Sequence, residues 1–278
     1  MNELDPTKDL IERNYWLIRL RWIAVAGVNV AILFISQILK FSLPTFFLYA
    51  ISAFLVIYNL IFLVLLSLIK GQESFSVINR IANAQITLDL LSLAGLIHFS
   101  GGVENPFIFY FIFHMIIAGI LLSRRASFLQ ATFAVLLFCA MAVLEYFGIF
   151  AHHGLGKFIG LDRYNNSIYV GGVSFVFIST IYIAAYMATS ISQRLREREK
   201  ILADTNTLLK KQDLLKSEYV LRVSHDIKEH LAAIQGCLEP VAGGITGELN
   251  PKQSDLVQRA VQRTAKLMFF VKALLEIT

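Results

Sequence analysis

Three features of the chain predict an all-α membrane protein. Six apolar runs are long enough to cross a bilayer, charge density rises abruptly after residue 192, and two amphipathic helical stripes close the sequence. Hydrophobic residues make up 56% of the 278 residues and charged residues 16%. The mean hydropathy is +0.62, outside the range of a soluble domain. Acids and bases are sparse from Trp22 to Ser192 and dense from Gln193 to Thr278. The predicted architecture is a six-span helical membrane domain, a helical connector and a helical hairpin that pairs with a second copy into a dimeric four-helix bundle. Its boundaries are a cytoplasmic N-terminal segment at 1–21, the membrane domain at 22–192, the connector at 193–216 and the hairpin domain at 217–278.

A bilayer core of about 30 Å takes ~20 helical residues. Runs that meet this length lie near Trp22–Leu39, Thr45–Ile69, Ile81–Phe99, Pro106–Leu122, Ser127–Phe150 and Ile168–Ser192. Positive charge orients them. Lys8, Arg13, Arg19, Arg21, Lys70, Arg80, Arg124, Arg125, Arg194, Arg196, Arg198 and Lys200 fall on one side, against Lys40, Lys157 and Arg163 on the other. Twelve against three places both termini in the cytoplasm. The connector follows, with Leu195, Leu202 and Leu209 repeating by seven beside Ile201, Leu208 and Leu215. Its polar seam makes this a weak heptad pattern, equally a solvated amphipathic helix. At 1.5 Å per residue, such a helix can carry a rotation or slide from membrane to soluble domain.

The hairpin has two stripes. On the first helix Val220, Ile227, Leu231, Ile234, Leu238 and Val241 share a face. Gly243, Gly244 and Gly247 supply a turn, and Asn250-Pro251 supplies an N-cap followed by proline at the first helical position. Val257, Ala260, Thr264, Leu267, Val271 and Leu274 form the second stripe. Two such helices leave more apolar surface than one hairpin can cover, which predicts a homodimer.

The net charge of +5 and a pI near 9.2 do not point to nucleic acid, because the basic residues sit at the ends of apolar runs, where they meet lipid headgroups. Cys139 lies in a span and Cys237 on the hairpin, so no internal disulfide is expected, and Cys237 reads as a buried small hydrophobe. The polar first twenty residues do not have the shape of a signal peptide. No residues are assigned to a metal.

His225 stands in Val-Ser-His-Asp-Ile-Lys-Glu-His over residues 223–230. It lies two residues from Ile227, about 200° around the helix at ~100° per residue, so it faces away from the apolar stripe. An imidazole in water beside the acid Asp226 is poised as a nucleophile, since a carboxylate can orient the ring and take up its proton. The order Ser-His-Asp-x-Lys, an apolar helix, a glycine turn and a second amphipathic helix resembles the dimerisation and phosphoacceptor domain of sensor histidine kinases, over residues 212–278. The resemblance implies that His225 is the phosphorylated histidine, Asp226 its acid–base neighbour and Lys228 the following basic residue. It also implies a response regulator as partner and the bacterial inner membrane as location. Glu229 and His230 replace the family's usual Thr or Asn and Pro. The bend that proline gives is therefore missing, and so is the side chain that positions water for phosphatase activity.

Between the third and fourth spans runs Ser100-Gly-Gly-Val-Glu-Asn-Pro-Phe107. As a bare loop it is a tight turn opening a helix. It also matches all five fixed positions of the Gly-Gly-x-x-Asn-Pro-Phe heptapeptide of the RegB-type redox-sensing kinases, in the corresponding place before the fourth of six spans. That resemblance implies a ubiquinone or related quinone as ligand. Asn105 and the amides of Gly101 and Gly102 would then donate to its carbonyls, Pro106 would fix the backbone and Phe107 would stack. His98, His114 and Glu145 lie in the outward half of the membrane, where ionisable groups are costly and face the bundle interior. They would exchange protons with a quinone or simply bond to a neighbouring helix. Asp89, deeper, reads as structural or as part of signal transmission. The redox-active cysteine of that family lies well beyond its phosphorylated histidine, and Cys237 is not assigned its role.

A histidine kinase also needs an ATP-binding domain, and the 278 residues contain no further segment of that size. The expectation is a kinase chain inactive alone, with ATP-Mg acting through a domain not in this chain. A non-enzymatic membrane receptor or scaffold with a degenerate kinase remnant stays open. So does a small transporter using Asp89 and Glu145, although no paired broken helices mark a substrate site.

Overall fold

The structure is a computed structural model that describes residues 6–40, 43–69, 74–154, 163–245 and 247–277. Residues 1–5, Lys70, Lys157 and the side chain of Leu274 lie outside this set. The protein is an all-α, multi-pass membrane protein. Among the described residues, five helices are long and apolar enough to cross a membrane, and a shorter apolar one covers Pro106–Leu121. The chain divides into two compact units, at Met1–Arg196 and Glu197–Thr278.

The first unit begins with α1 (Pro6–Leu33), which ends in a π-helical turn at Phe34–Ile38. Then come α2 (Thr45–Ile69) and α3 (Phe75–His98). Short 3-10 turns at Gly102–Glu104 and Pro106–Phe109 lead into α4 (Tyr110–Leu121), followed by α5 (Arg124–Tyr146). A last 3-10 turn at Arg163–Asn165 precedes α6 (Ser167–Ala242), within which the division between units falls. The first helix therefore starts well before Trp22. Leu10, Leu17 and Ile18 are buried on it, so residues 6–21 pack as helix.

Two apolar clusters share α3. One joins α1, α2 and α3 through Ile18, Leu55, Tyr58 and Ile81. The other joins α3, α4, α5 and α6, with Phe138 stacked on Phe177 at 4.1 Å. Gly119 of α4 lets that helix approach α6 closely, since a Cβ there would come within 2.6 Å of the Ala188 Cβ. The end of α4 is held from two sides: Arg13 Nη1 donates to the Ile120 carbonyl at 2.9 Å and Arg196 Nη2 at 2.7 Å. Guanidinium groups at a helix C-terminus satisfy open carbonyls and oppose the negative end of the dipole. Outward-facing Phe46, Leu129 and Phe175 are exposed, as lipid-facing side chains are.

Arg21 departs from its predicted place as a headgroup anchor. It is buried between α1, α2 and α3, with Nε on Asp89 Oδ1 at 2.7 Å and Nη2 on Asp89 Oδ2 at 2.8 Å. Nη1 donates to Asn59 Oδ1 at 2.6 Å and Nη2 to Gln85 Oε1 at 3.2 Å, and the Tyr58 hydroxyl also donates to Asp89. A charge in an apolar bundle is tolerated only when paired in this way, and positive-charge counting cannot see the partner.

The fifth span ends earlier than predicted, at Tyr146 rather than Phe150. Gly148 takes a left-handed φ of 70°. Its amide donates to the Glu145 carbonyl at 3.0 Å, and the Ile149 amide donates to the Leu144 carbonyl at 2.9 Å. This is a Schellman closure, and it sends residues 149–154 away from the helix axis.

The second unit contains α6 from Glu197 onward and α7 (Pro251–Ile277). α7 opens with a reciprocal cap: the Gln253 amide donates to Asn250 Oδ1 at 2.8 Å and the Asn250 amide to Gln253 Oε1 at 3.1 Å. Gly244 and Gly247 adopt φ of 76° and 118° in the turn. Leu231, Ser224 and Thr264 are buried, whereas Ile234, Leu267, Phe269 and Phe270 remain exposed. Cys237 is exposed too, against expectation, because it stands away from the face that α7 covers.

Candidate functional site

The loop between α3 and α4 is built by its own residues. Gly101 and Gly102 have φ of 128° and 51° and are buried. A Cβ on Gly102 would overlap the Glu145 carboxylate, so glycine is required there by space as well as by backbone angle. Asn105 is buried and its amide is fully engaged. Nδ2 donates to the Ser100 carbonyl at 2.9 Å and to the Ser100 hydroxyl, and Oδ1 accepts from the Phe107 amide at 2.8 Å. Asn105 thus caps the turn that Pro106 opens. The donor role predicted for its side chain is taken up within the loop itself.

A cleft of about 470 Å³ lies between this loop, α4 and α6, within the size range of small-molecule sites. Glu104, Asn105, Pro106 and Phe109 form one wall, and Tyr169, Phe177 and Thr180 stand among the residues of the other. Of the predicted ligand residues, only Asn105 and Pro106 line it. Gly101 and Gly102 are buried within the loop and do not line the cleft, and Phe107 is exposed with its ring 5.7 Å from Tyr110. His114 directs Nδ1 to the Tyr110 carbonyl of its own helical segment at 3.0 Å.

His98 and Glu145 do meet. His98 Nδ1 lies 2.6 Å from Glu145 Oε1, and His152 Nδ1 lies 2.8 Å from Glu145 Oε2. His152 stacks on Tyr164 at 4.0 Å and its Nε2 approaches Glu104 Oε2 at 3.7 Å. Glu104 Oε1 in turn accepts the backbone amides of Arg163 and of Tyr164, the latter at 3.1 Å. The result is a line of ionisable groups, His98–Glu145–His152–Glu104, half-buried at His98 and buried at the other three side chains, whose last member reaches the cleft. His153 packs beside it, 5.5 Å from the His98 ring. Burial pushes the His153 imidazole below its ordinary value, and the neighbouring His98 adds to this. Sequence reading missed Glu104 and His152. Glu104 stands at a variable position of the heptapeptide, and the only trace of His152 was a histidine pair just after an apolar run.

In the second unit His225 is exposed, at 71% of its side chain, as its helical angle predicted. Its Nδ1 lies 3.9 Å from Asp226 Oδ1 and 3.7 Å from Glu229 Oε1. Both distances are too long for a hydrogen bond, so two carboxylates flank the ring without locking it. Glu229 faces the histidine one helical turn on. Beside them an apolar hollow of about 310 Å³ is lined by Val220, Val223, Ser224, Ile227, Leu267 and Phe270 among others.

Comparison with known families supplies the match that the membrane unit called for. Residues 4–202 match the model of the PilS-like transmembrane domain. The chain belongs to that family. PilS is a sensor histidine kinase, and the PilS-like match takes in the α3–α4 loop, the cleft and the His–Glu line together. No phosphoacceptor-domain match accompanies it. No curated protein and no solved structure matches the chain.

Proposed function

We propose that the chain is the sensing and phosphoacceptor part of a two-component sensor histidine kinase. The observation that carries this reading is the PilS-like membrane domain over residues 4–202, joined in one chain to an exposed histidine flanked by Asp226 and Glu229. His225 attacks the γ-phosphorus of ATP held by an ATP-binding domain outside these residues. The P–N bond forms as the bond to the ADP oxygen breaks, and the imidazole proton passes to Asp226. A response-regulator aspartate then takes the phosphoryl group. Two copies pair through the apolar hollow, whose lining includes the exposed Leu267 and Phe270. In this reading both termini lie on the cytoplasmic side of a bacterial inner membrane, an orientation that the positive-charge bias supports.

The signal in this reading is a quinone bound in the cleft. Its volume and its apolar walls suit a quinone head and the start of its tail. Tyr169 and Thr180 line the cleft, and in this reading their hydroxyls donate to the quinone in place of the Asn105 amide. Residues Gly101, Gly102, Asn105 and Pro106 shape the loop, and His98 belongs to the ionisable line behind it.

The test of phosphotransfer is acid-labile labelling of the full chain by a separate sensor-kinase ATP-binding domain and ATP. Label should vanish in His225→Gln and persist in His230→Gln; label on any other residue would refute the assignment. Asp226→Asn should slow labelling by roughly 10²–10⁴-fold, the range for a lost acid–base group. Quinone binding is tested by titrating the chain in lipid nanodiscs with a short-chain ubiquinone analogue. Saturable binding about tenfold weaker in Tyr169→Phe, the scale of one hydrogen bond, is expected. Absence of saturation in the wild type would remove the quinone from the reading.

A further inference from the structure

The line from His98 to Glu104 stops one link short. His152 Nδ1 is within 2.8 Å of Glu145 Oε2, yet its Nε2 is buried with no hydrogen-bond partner and lies 3.7 Å from Glu104 Oε2. The two side chains are 6% and 3% exposed. A carboxylate only accepts, and an imidazole whose Nδ1–H is given to Glu145 presents Nε2 as an acceptor as well. Two desolvated acceptors that face each other are unfavourable. One proton between them converts the contact into a charge-assisted hydrogen bond.

We propose that the His152–Glu104 pair is a proton-binding site, and that the proton it takes up fastens the loop of Gly101–Pro106 to the segment that follows α5. The surroundings suit this. Glu145 from α5 and Glu104 from the loop flank His152 on both ring nitrogens. His98 from α3 shares Glu145, and His153 lies beside His98. From the turn before α6, Tyr164 stacks on His152, and the Arg163 guanidinium lies 5.7 Å from the Tyr169 ring. Because Glu104 also lines the cleft, occupancy by a proton alters the rim of that cleft. The site depends neither on a quinone nor on phosphotransfer at His225. A carboxylate behind a histidine is also a common arrangement around metal ligands, so the experiment includes a metal arm.

The full chain, labelled with ¹⁵N-histidine in lipid nanodiscs without added quinone, is titrated from pH 8 to pH 5, the span in which imidazoles change charge. His152 is assigned from the His152→Gln spectrum. The expected result is passage of His152 Nε2 from unprotonated to protonated. Amide exchange over residues 99–107, corrected for intrinsic rate, should slow about tenfold in the same range, as one charge-assisted hydrogen bond would produce. In Glu104→Gln the side-chain amide supplies the missing donor. Exchange should then be slow at pH 8 already, and His152 Nε2 should stay unprotonated. The proposal fails if wild-type His152 Nε2 does not change, if the exchange effect survives in Glu104→Gln, or if a chelator shifts the His152 signal at constant pH.

Discussion

Removing Asp89 should destabilise the membrane unit more than any other single truncation in α1–α3. The Arg21 side chain is only 2% exposed, and Asp89 answers it with both oxygens at 2.7 and 2.8 Å. In Asp89→Ala the guanidinium keeps only the neutral oxygens of Asn59 and Gln85, and the Tyr58 hydroxyl loses its acceptor. Breaking one side of a buried pair costs about 3–5 kcal/mol, chiefly because the remaining charge stays buried without compensation. Taking both charges away removes that burden. Arg21→Met/Asp89→Ala should therefore cost no more than the worse single variant, with an interaction energy of roughly 2–3 kcal/mol in the cycle. The assay is unfolding of the purified chain in mixed micelles with rising SDS, followed by far-ultraviolet circular dichroism, for the four members of the cycle. A cost below about 1 kcal/mol for Asp89→Ala, or additive single effects, would refute the idea that the pair is a desolvated lock.

Two further outcomes follow from the loop geometry. Gly102→Ala and Gly148→Ala both force a side chain into a left-handed backbone, at φ of 51° and 70°, which costs about 1–2 kcal/mol each. Only Gly102 faces the Glu145 carboxylate, and a Cβ at Gly148 meets nothing within 4 Å. In the same unfolding assay Gly102→Ala should lose clearly more stability, and equal losses would show that Glu145 is not packed there. The His153 imidazole is held below its ordinary value by burial, so folding favours its neutral form. Above about pH 6.5 both folded and unfolded chains carry it neutral. As pH falls below that, the unfolded chain takes the proton more readily and stability is lost. His153→Phe, beside Phe99 at a ring distance of 5.4 Å, should therefore lose less stability than wild type between pH 7 and pH 5. An unchanged difference would refute the assignment.

The apolar runs made the helical membrane class legible because their length and polarity are local properties. The same holds for the Asn250-Pro251 helix start, which needs only a capping side chain and a proline, and for the exposure of His225, which follows from helical period alone. Helix ends fared less well. Phe147–Phe150 is as apolar as the span before it, and only the left-handed Gly148 marks where α5 stops. Residues 6–21 look polar in one dimension, but Leu10, Leu17 and Ile18 fall on a single packed face of α1.

The candidate site shows the same division more sharply. Sequence placed Gly101, Gly102 and Asn105 in a demanding turn and named His98 and Glu145 as ionisable groups within the bundle. It could not tell that Asn105 satisfies its own loop, that His114 bonds within its helix, or that Arg21 is a partner rather than an anchor. The first two turn on local side-chain conformation, which periodicity does not fix, and the third on distance between residues far apart in the chain, as do the contacts of Arg21 with Asp89, His98 with Glu145 and Glu104 with Tyr164. Composition and periodicity determined that this chain is a bundle of membrane helices with an exposed histidine beyond them. Only the tertiary structure decided which buried polar groups face one another, because a charge in an apolar interior is stable solely beside its partner, and partners are set by packing.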